Sequence, residues 1–333
     1  MKLSIITINY NNAAGLKKTL DSVAAQRIHP QPFLQKDGSD MYEIEHIIVD
    51  GGSTDGSVDV IKEYESCIAH SQLSISLKWV SEKDKGIYNA MNKGIEIAMG
   101  RRVVGDDHRS ELVDGNSNLS SLNSNLPQDH YLQILNSSDC LATEDVLSRM
   151  MGLLDEDTDI LLANIIHVWP NGRLGRSIKK QKDSTAPQVV KPTLLNFYHG
   201  TIPHDAALIR KSVYETYGYY DEEMKICSDW KLFLHAMVIG LGGVEPLTSG
   251  RVKYVDIDMV LFDMTGTSNQ NTDKWQVEKR PELEGCVPAR ILADYDAYYQ
   301  DICLMQRIHR HQWAYRLVWF VERVLFKIEK WFR

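Results

Sequence analysis

The sequence has no paired cysteine motif. Its five cysteines, Cys67, Cys140, Cys227, Cys286 and Cys303, are odd in number and widely spaced, with no CxxC among them. Neither a disulfide framework nor a cysteine zinc site is signalled, and a reducing cytosolic setting fits. No run of about 20 uninterrupted apolar residues occurs, so nothing reads as a membrane span. The apolar run from Leu3 to Ile8 is short and holds Ser4 and Thr7, so it does not read as a signal peptide. Basic charge is the minority: 37 Lys and Arg against 45 Asp and Glu leave a net charge of −8, which argues against a general nucleic-acid binder. The glycines of "DGGSTDGS" do not make GxGxxG, because Ser53 stands in the middle glycine's place. That weakens a dinucleotide-binding oxidoreductase.

What is present is a globular chain of 333 residues, 43% hydrophobic and 25% charged, ample for a large core. Leu3 to Ile8 reads as a buried strand broken by Asn9-Tyr10-Asn11-Asn12. A helix follows, with Leu16, Leu20, Val23 and Ala24 on one face, then a loop over about 28–41. Glu45 to Val49 and Ser76 to Val80 read as further strands, each followed by a helical pattern, the second ending at Gly100. Alternating strands and helices predict an α/β fold, a mostly parallel sheet flanked by helices with right-handed crossovers. Ligands of such sheets sit at the carboxyl ends of the strands. That rule points at Asn9, Asp50 and Asp139 together.

Residues 101–129 interrupt the pattern with a Ser-, Asn- and Leu-rich stretch that reads as a long insertion. Beyond it, "YLQILNSSDC" is a strand that stops at a polar knot with a single acid, Asp139. Thr143 is a plausible N-cap for the next helix. Strands are predicted at Ile160 to Ala163 and Ile165 to Trp169, a basic loop from Arg173 to Lys191, a helix over Asp229 to Ile239 and a strand near Lys253 to Phe262. The segment 307–333 has seven Lys or Arg against two Glu, with Trp, Leu, Phe and Val at helical intervals. Such a basic amphipathic helix predicts contact with an anionic membrane surface, or packing on protein.

Some side chains can be weighed directly. Thr7, Asn9 and Tyr10 leave the first strand where a base and ribose could sit. Asp50 can accept from base or ribose donors, or simply serve the turn at Gly51-Gly52. "VVGDDH" offers Asp106 and Asp107 as a rival acidic pair, but it opens the insertion and no helix start follows.

The blocks "SIITINYNNAAGLKKTLDSVAAQ", "EHIIVDGGSTDGSVDVI", "SEKDKGIYNAMNKGIEIAMG", "LNSSD", "IPHDAALIRKSVYETYGYYDEEMKICSDWKLFL" and "MTGTSN" together resemble the glycosyltransferase family 2 pattern, in the family's order, over most of residues 1–270. The resemblance implies a GT-A fold, a nucleotide-sugar donor, a divalent metal (Mn2+ or Mg2+) and inversion at the anomeric carbon. It implies a nucleotide-binding half over about 1–140, an acceptor half over about 141–270 and a helical extension over 271–333. In it, Asp84 lines the nucleotide pocket, Asp139 matches the last acid of a DxD-like motif and contacts the metal, and Asp229 is the general base. Ser138 stands in the nucleotide site where another acid is common, and Asn89 replaces a common Asp. One carboxylate can suffice for a hard cation if the donor's diphosphate brings its own oxygens. Burial beside Trp230 would raise the pKa of Asp229, and its place at a helix start would lower it. His204 either lines the acceptor pocket or shapes a turn, and Asp205 beside it has no assigned role.

The expectation is thus an inverting transferase acting on a glycan or lipid-linked acceptor, cytoplasmic and peripheral at the inner face of a bacterial membrane. A nucleotidyltransferase would need a Gly-rich, Lys- or Arg-bearing loop where "NYNNAAGLKK" stands. A non-catalytic sugar- or nucleotide-binding scaffold would bind without turnover.

Overall fold

The computed structural model describes residues 1–28, 42–69, 75–113, 129–176, 186–266 and 272–332. The readings of the loop at about 28–41, the second half of the 101–129 insertion and the middle of the basic loop lie largely outside those residues.

β1 (Lys2–Asn9) is central and fully buried, as its run of isoleucines predicts. It pairs in parallel with β2 (Glu43–Asp50) on one side and with β6 (His130–Ile134) on the other, and β3 (Ile75–Ser81) extends the sheet beyond β2. The crossovers are α1 (Ala13–Ala24), α2 (Ser57–Ala69) and α3 (Ile87–Ala98). α1 and α2 cover one face, where Leu16, Leu20, Ile61 and Tyr64 pack with Ile48 and Trp79. α3 covers the other. It approaches β1 so closely at Gly94 that a Cβ there would lie 2.3 Å from Ile6 Cγ2, so only glycine fits.

The second half of the sheet is mixed. β11 (Ala207–Arg210) lies antiparallel between β6 and β8 (Ile160–Val168), and β12 (Val252–Asp263) returns parallel to β8. The short strands β7 (Cys140–Leu141), β9 (Leu174–Arg176) and β10 (Gln188–Val189) attach to β12 and β8. β4 (Arg102–Val104) and β5 (Ser110–Leu112) form a separate hairpin at the start of the insertion. The sheet is therefore mostly parallel, curled and flanked by helices.

Three local expectations change. Ile160–Val168 is one strand, not two. Asn164 does not interrupt it, because its amide is paired with Asp256 Oδ1 at 2.8 Å. α4 (Val146–Met151) begins later than Thr143 suggests; Asp145 occupies the cap and the Thr143 hydroxyl donates to its carboxylate at 2.6 Å. The helix bearing Asp229 is α7 (Ser228–Leu234), which passes into a single π-helical turn, His235–Ile239, instead of continuing regularly. The remaining helices of this region are α5 (Leu194–His199) and α6 (Lys211–Tyr217).

The chain divides into two compact units, Met1–Lys279 and Arg280–Arg333, with the division inside α8 (Thr272–Cys286) and later than residue 270. The second unit holds α9 (Ala289–His309) and α10 (Gln312–Phe332). Among the described residues no helix is long and apolar enough to cross a membrane.

Candidate active site

β1 ends at Asn9, β2 at Asp50, and the turn after β6 carries Asn136 to Asp139. β11 enters antiparallel, with Ile209 opposite Leu132. Continuing that register sets Asp205 opposite Asn136, and Asn136 Nδ2 does donate to Asp205 Oδ1 at 2.9 Å. The antiparallel strand thus delivers His204 and Asp205 to the ends of the parallel ones. α7 brings Asp229 from the far side.

These groups form one chain. Asp139 and Asp205 are only 4% and 2% exposed and their carboxyls interact directly. His204 Nε2 lies 3.5 Å from Asp205 Oδ1, and its Nδ1 lies 3.3 Å from Asp229 Oδ2. Tyr88 of α3 donates its hydroxyl to Asp229 Oδ1 at 3.3 Å. Burial and then the charge of Asp205 push Asp139 well above the usual carboxylate range. Burial raises Asp205 too, with Asp229 adding to it, although the nearby imidazole opposes this. Burial alone would depress His204, but the charge of Asp205 and the bond to Asp229 outweigh it and push it up to about 9. His204 is therefore a cation at neutral pH, shared between two acids.

The turn that carries Asp139 is built from α1. Ser138 sits at φ 88°, a left-handed conformation uncommon for a side chain other than Gly, Asn or Asp. Two bonds hold it: Ser138 N–H donates to Thr19 Oγ1 at 3.0 Å, and Asn12 Nδ2 donates to Ser138 Oγ at 2.9 Å. Its hydroxyl faces α1. The Thr19 hydroxyl in turn donates to the Asp139 carbonyl at 2.7 Å, and Asp139 Oδ1 accepts the Asp263 N–H at 2.8 Å.

A second cluster forms the mouth beside this chain. Tyr10 is 65% exposed at the end of β1. A Cβ on Gly51 would lie 2.5 Å from Asp84 Oδ2 and 3.1 Å from the Tyr10 ring, so Gly51 lets these two groups converge. Asp84 also accepts the Gly86 N–H at 2.9 Å. Asp50 is buried behind them. Its two oxygens accept from Asn9 Nδ2 (2.9 Å), Ser53 Oγ (2.5 Å), Ser53 N–H (2.9 Å) and Ser81 Oγ (2.7 Å). All its lone-pair positions are filled from within, so it organises the Ser53 turn and does not present a free acceptor.

Thr7 also departs from expectation. It is fully buried beneath α2, and its hydroxyl is paired with His46 Nε2 at 3.0 Å, so it does not face the mouth. Asp106 and Asp107 sit in the exposed turn of the β4–β5 hairpin, where Asp107 Oδ1 accepts the Arg109 N–H at 3.2 Å; they do not join the cluster. Asn89 donates to Glu222 Oε2 at 2.9 Å, an arrangement an aspartate could not make.

Two contributors escaped sequence reasoning. Tyr88 gave no signal, since its ring counts equally well as core. Glu278 in α8 accepts backbone N–H groups from Lys225 (2.7 Å), Ile226 (2.9 Å) and Cys227 (2.9 Å), and so fixes the segment leading into α7. Nothing in the sequence near Asp229 announces so distant a partner.

A divalent metal is implied by the fold family. Among the described residues no group of three His, Cys, Asp or Glu side chains could hold one unaided. The residues present nonetheless fit: beside the two carboxyls, Asn136 Oδ1 is a buried oxygen with no protein partner. An all-oxygen donor set suits a hard cation that takes its remaining ligands from a diphosphate.

Residues 4–107 match the sequence profile described as Glycosyl transferase family 2. An uncharacterized glycosyltransferase of Mycobacterium tuberculosis is 26% identical over 269 residues, covering 80% of this chain and 77% of that protein. A PGL/p-HBAD biosynthesis glycosyltransferase of Mycobacterium bovis is 25% identical over 229 residues, 68% of this chain and 66% of that protein. Staphylococcus aureus TarS 1–349 in complex with UDP-GlcNAc aligns at 19% identity with a TM-score of 0.51, covering 79% of this chain and 58% of that chain. At that identity the likeness establishes the fold, and this chain spans less than two thirds of the staphylococcal chain it matches. The chain thus matches family 2 glycosyltransferases over residues 4–107, resembles named glycosyltransferases over most of its length, and has the GT-A fold.

Proposed function

We propose that this protein transfers a sugar with inversion from a nucleotide-sugar donor to a hydroxyl of a glycan or lipid-linked acceptor. The observation that carries the reading is the single chain Asp139–Asp205–His204–Asp229, which sets a leaving-group site beside a candidate base. The staphylococcal fold neighbour was solved with UDP and with UDP-GlcNAc, which supports a nucleotide-sugar donor here.

The Tyr10 ring offers a stacking surface for the base, and Asp84 accepts from base or ribose N–H and O–H groups. Asn9 and Asp50 hold the Ser53 turn that shapes this mouth. Ser138 fixes the turn so that the Asp139 carboxylate faces the diphosphate. Asp139 would hold Mn2+ or Mg2+, and a cation bound there neutralises the charge of the leaving diphosphate. The acceptor hydroxyl attacks the anomeric carbon from the face opposite the diphosphate. Asp229 takes the hydroxyl proton while the bond from the anomeric carbon to the diphosphate oxygen breaks, with the electron pair leaving on that oxygen. Inversion follows from one such displacement. His204 positions Asp229 on the acceptor side.

α10 supports a membrane-proximal acceptor. Trp313, Leu317, Phe320, Val324, Ile328 and Trp331 share one helical face, and all six are exposed, Trp331 by 89%. Arg316, Arg323, Lys327 and Lys330 flank it. This pattern fits an anionic lipid surface at the inner face of a bacterial membrane. Sedimentation with phosphatidylglycerol vesicles, and its loss on deleting 307–333, tests that part.

The central reading is tested by calorimetric titration of UDP, GDP and dTDP, each with and without Mn2+, on wild type and Asp139→Ala. One nucleotide should bind in a metal-dependent way that the variant loses. Binding that ignores both metal and Asp139, or no binding at all, would return the scaffold reading.

A further inference from the structure

The turn after β6 supplies one acid where a metal-dependent transferase of this kind is expected to show two. Ser138 stands in the other place, and its hydroxyl is turned away to Asn12. No local residue replaces the missing carboxylate. The replacement comes from across the sheet. Because β11 is antiparallel to β6, the residue before it that falls opposite Asn136 is Asp205. Gln133 fixes the backbone at that point by donating Nε2 to the Asp205 carbonyl at 3.0 Å.

Asp139 and Asp205 are both buried, and their carboxyls meet at the strand ends. The cluster contains three acidic side chains, Asp139, Asp205 and Asp229; His204 and the buried Lys279 ammonium supply positive charge on the side of Asp229. His204 reaches Asp205 and Asp229 but makes no bond to Asp139. On the side of Asp139 the environment instead offers oxygens: two carboxyls and the unpartnered Asn136 Oδ1. The Asn136 amide nitrogen lies 2.9 Å from Asp205 Oδ1 and 3.5 Å from His204 Nε2, and its oxygen has no protein partner. Oxygen-only donors are what a hard divalent cation takes.

We propose that Asp205 is the second carboxylate of the metal site, so that Asp139 and Asp205 hold one divalent cation between them with Asn136 Oδ1 as a further oxygen. This rests on the nucleotide-sugar reading above and adds to it a ligand that the local sequence motif does not contain. The pair "PHD" then has two duties. Asp205 serves the cation on the donor side, and His204 serves the base on the acceptor side. A metal-bound diphosphate and an acceptor hydroxyl would sit on adjacent residues of one strand entry.

The test is Mn2+ binding, read by loss of the free-Mn2+ electron paramagnetic resonance signal, with Mn2+ alone and with UDP or GDP. The proteins are wild type, Asp139→Asn, Asp205→Asn, Asp205→Glu and Asp205→Cys. Wild type should bind Mn2+ weakly alone and more tightly with the nucleotide. Asp205→Asn should weaken that binding at least about tenfold, as Asp139→Asn does, with an unchanged circular dichroism spectrum. Asp205→Glu should stay within about threefold of wild type, since it keeps an oxygen anion. Asp205→Cys should shift preference from Mn2+ toward Cd2+, because a thiolate is a soft ligand. This last result is a gain that misfolding could not mimic. Asp205→Asn that binds Mn2+ as wild type does, together with Asp205→Cys that gains nothing for Cd2+, would overturn the proposal and leave the nucleotide-sugar reading intact. Wild type that binds no Mn2+ with either nucleotide would overturn both.

Discussion

Two buried polar chains run through this sheet, and each contains histidine. One lies beneath α2, where His46 is held by Thr7 Oγ1 at 3.0 Å and Tyr64 OH at 2.8 Å; on the opposite face of the sheet His130 makes a separate contact with Ser4 Oγ at 2.9 Å. The other lies at the strand ends and runs through His204. Burial pushes His46 down to about 3, and burial with the charge of Lys2 does the same to His130. His204, with 13% of its side chain exposed, moves the other way, up to about 9, because two carboxylates face it. Burial alone therefore does not mark a site. The Thr7–His46–Tyr64 chain uses both ring nitrogens on neutral partners and closes on itself. The strand-end chain instead gathers three carboxyls around one imidazole, with the Asn136 Oδ1 oxygen beside them.

The largest expected effect sharpens that contrast. Asp229→Asn should lower release of nucleoside diphosphate from the donor by about 10²- to 10⁴-fold, the range for loss of a general base, while calorimetry finds nucleotide binding unchanged. The corresponding change in the interior chain, Thr7→Val, should cost stability and leave turnover near wild type.

pH separates the two chains next. His46 and His130 are neutral in the fold well below the ordinary value of 6.5 for histidine. The unfolded chain therefore takes up protons that the folded one refuses, and stability falls as pH drops from 6.5 toward 3. Glu45, held below its ordinary value by Lys78 and Lys2 despite its burial, adds loss in the same direction near its own range. Denaturant melts should show a steep acid loss, approaching about 1.4 kcal/mol per pH unit for each of the two histidines. His204 has the opposite sign. Its contribution is full below 6.5 and is lost as pH rises through about 9. Wild type should lose stability between pH 7 and 10 relative to His204→Gln.

A smaller effect comes from Glu278. Glu278→Gln leaves one acceptor oxygen for three N–H groups, and should destabilise by about 1 kcal/mol, comparable with loss of a helix cap. If it positions the base, kcat should fall several-fold with nucleotide affinity unchanged. Equal kcat would make it structural only. The smallest effect concerns α10. Replacing Arg316 or Lys330 by Gln should weaken vesicle binding by about 1 kcal/mol each, and less at high salt.

Much of this was legible in the sequence. Apolar periodicity marked β1, β2 and α1 to α3, because each element buries one face. The strand-end rule brought Asn9, Asp50 and Asp139 to one edge. Three things were not legible. Thr7 and Asp50 share a strand-end neighbourhood with Tyr10 and Asp84, but burial and internal partners remove them from the mouth, and partners separated by about 40 positions leave no local trace. The unbroken strand Ile160–Val168 was hidden by Asn164, whose amide is satisfied by Asp256 across the sheet. Asp205 was visible as a letter, but its meaning depends on the antiparallel register of β11 against β6. Register between distant strands is set by packing, not by local pattern.

The most direct measurement of the central claim is anomalous scattering from Mn2+ in crystals grown with the nucleoside diphosphate that binds. The account predicts one peak against the Asp139 carboxylate, shared with Asp205 and the diphosphate, and a base lying beside Tyr10 and Asp84. A peak at Asp106 and Asp107, or a nucleotide bound away from Asp139, would contradict it.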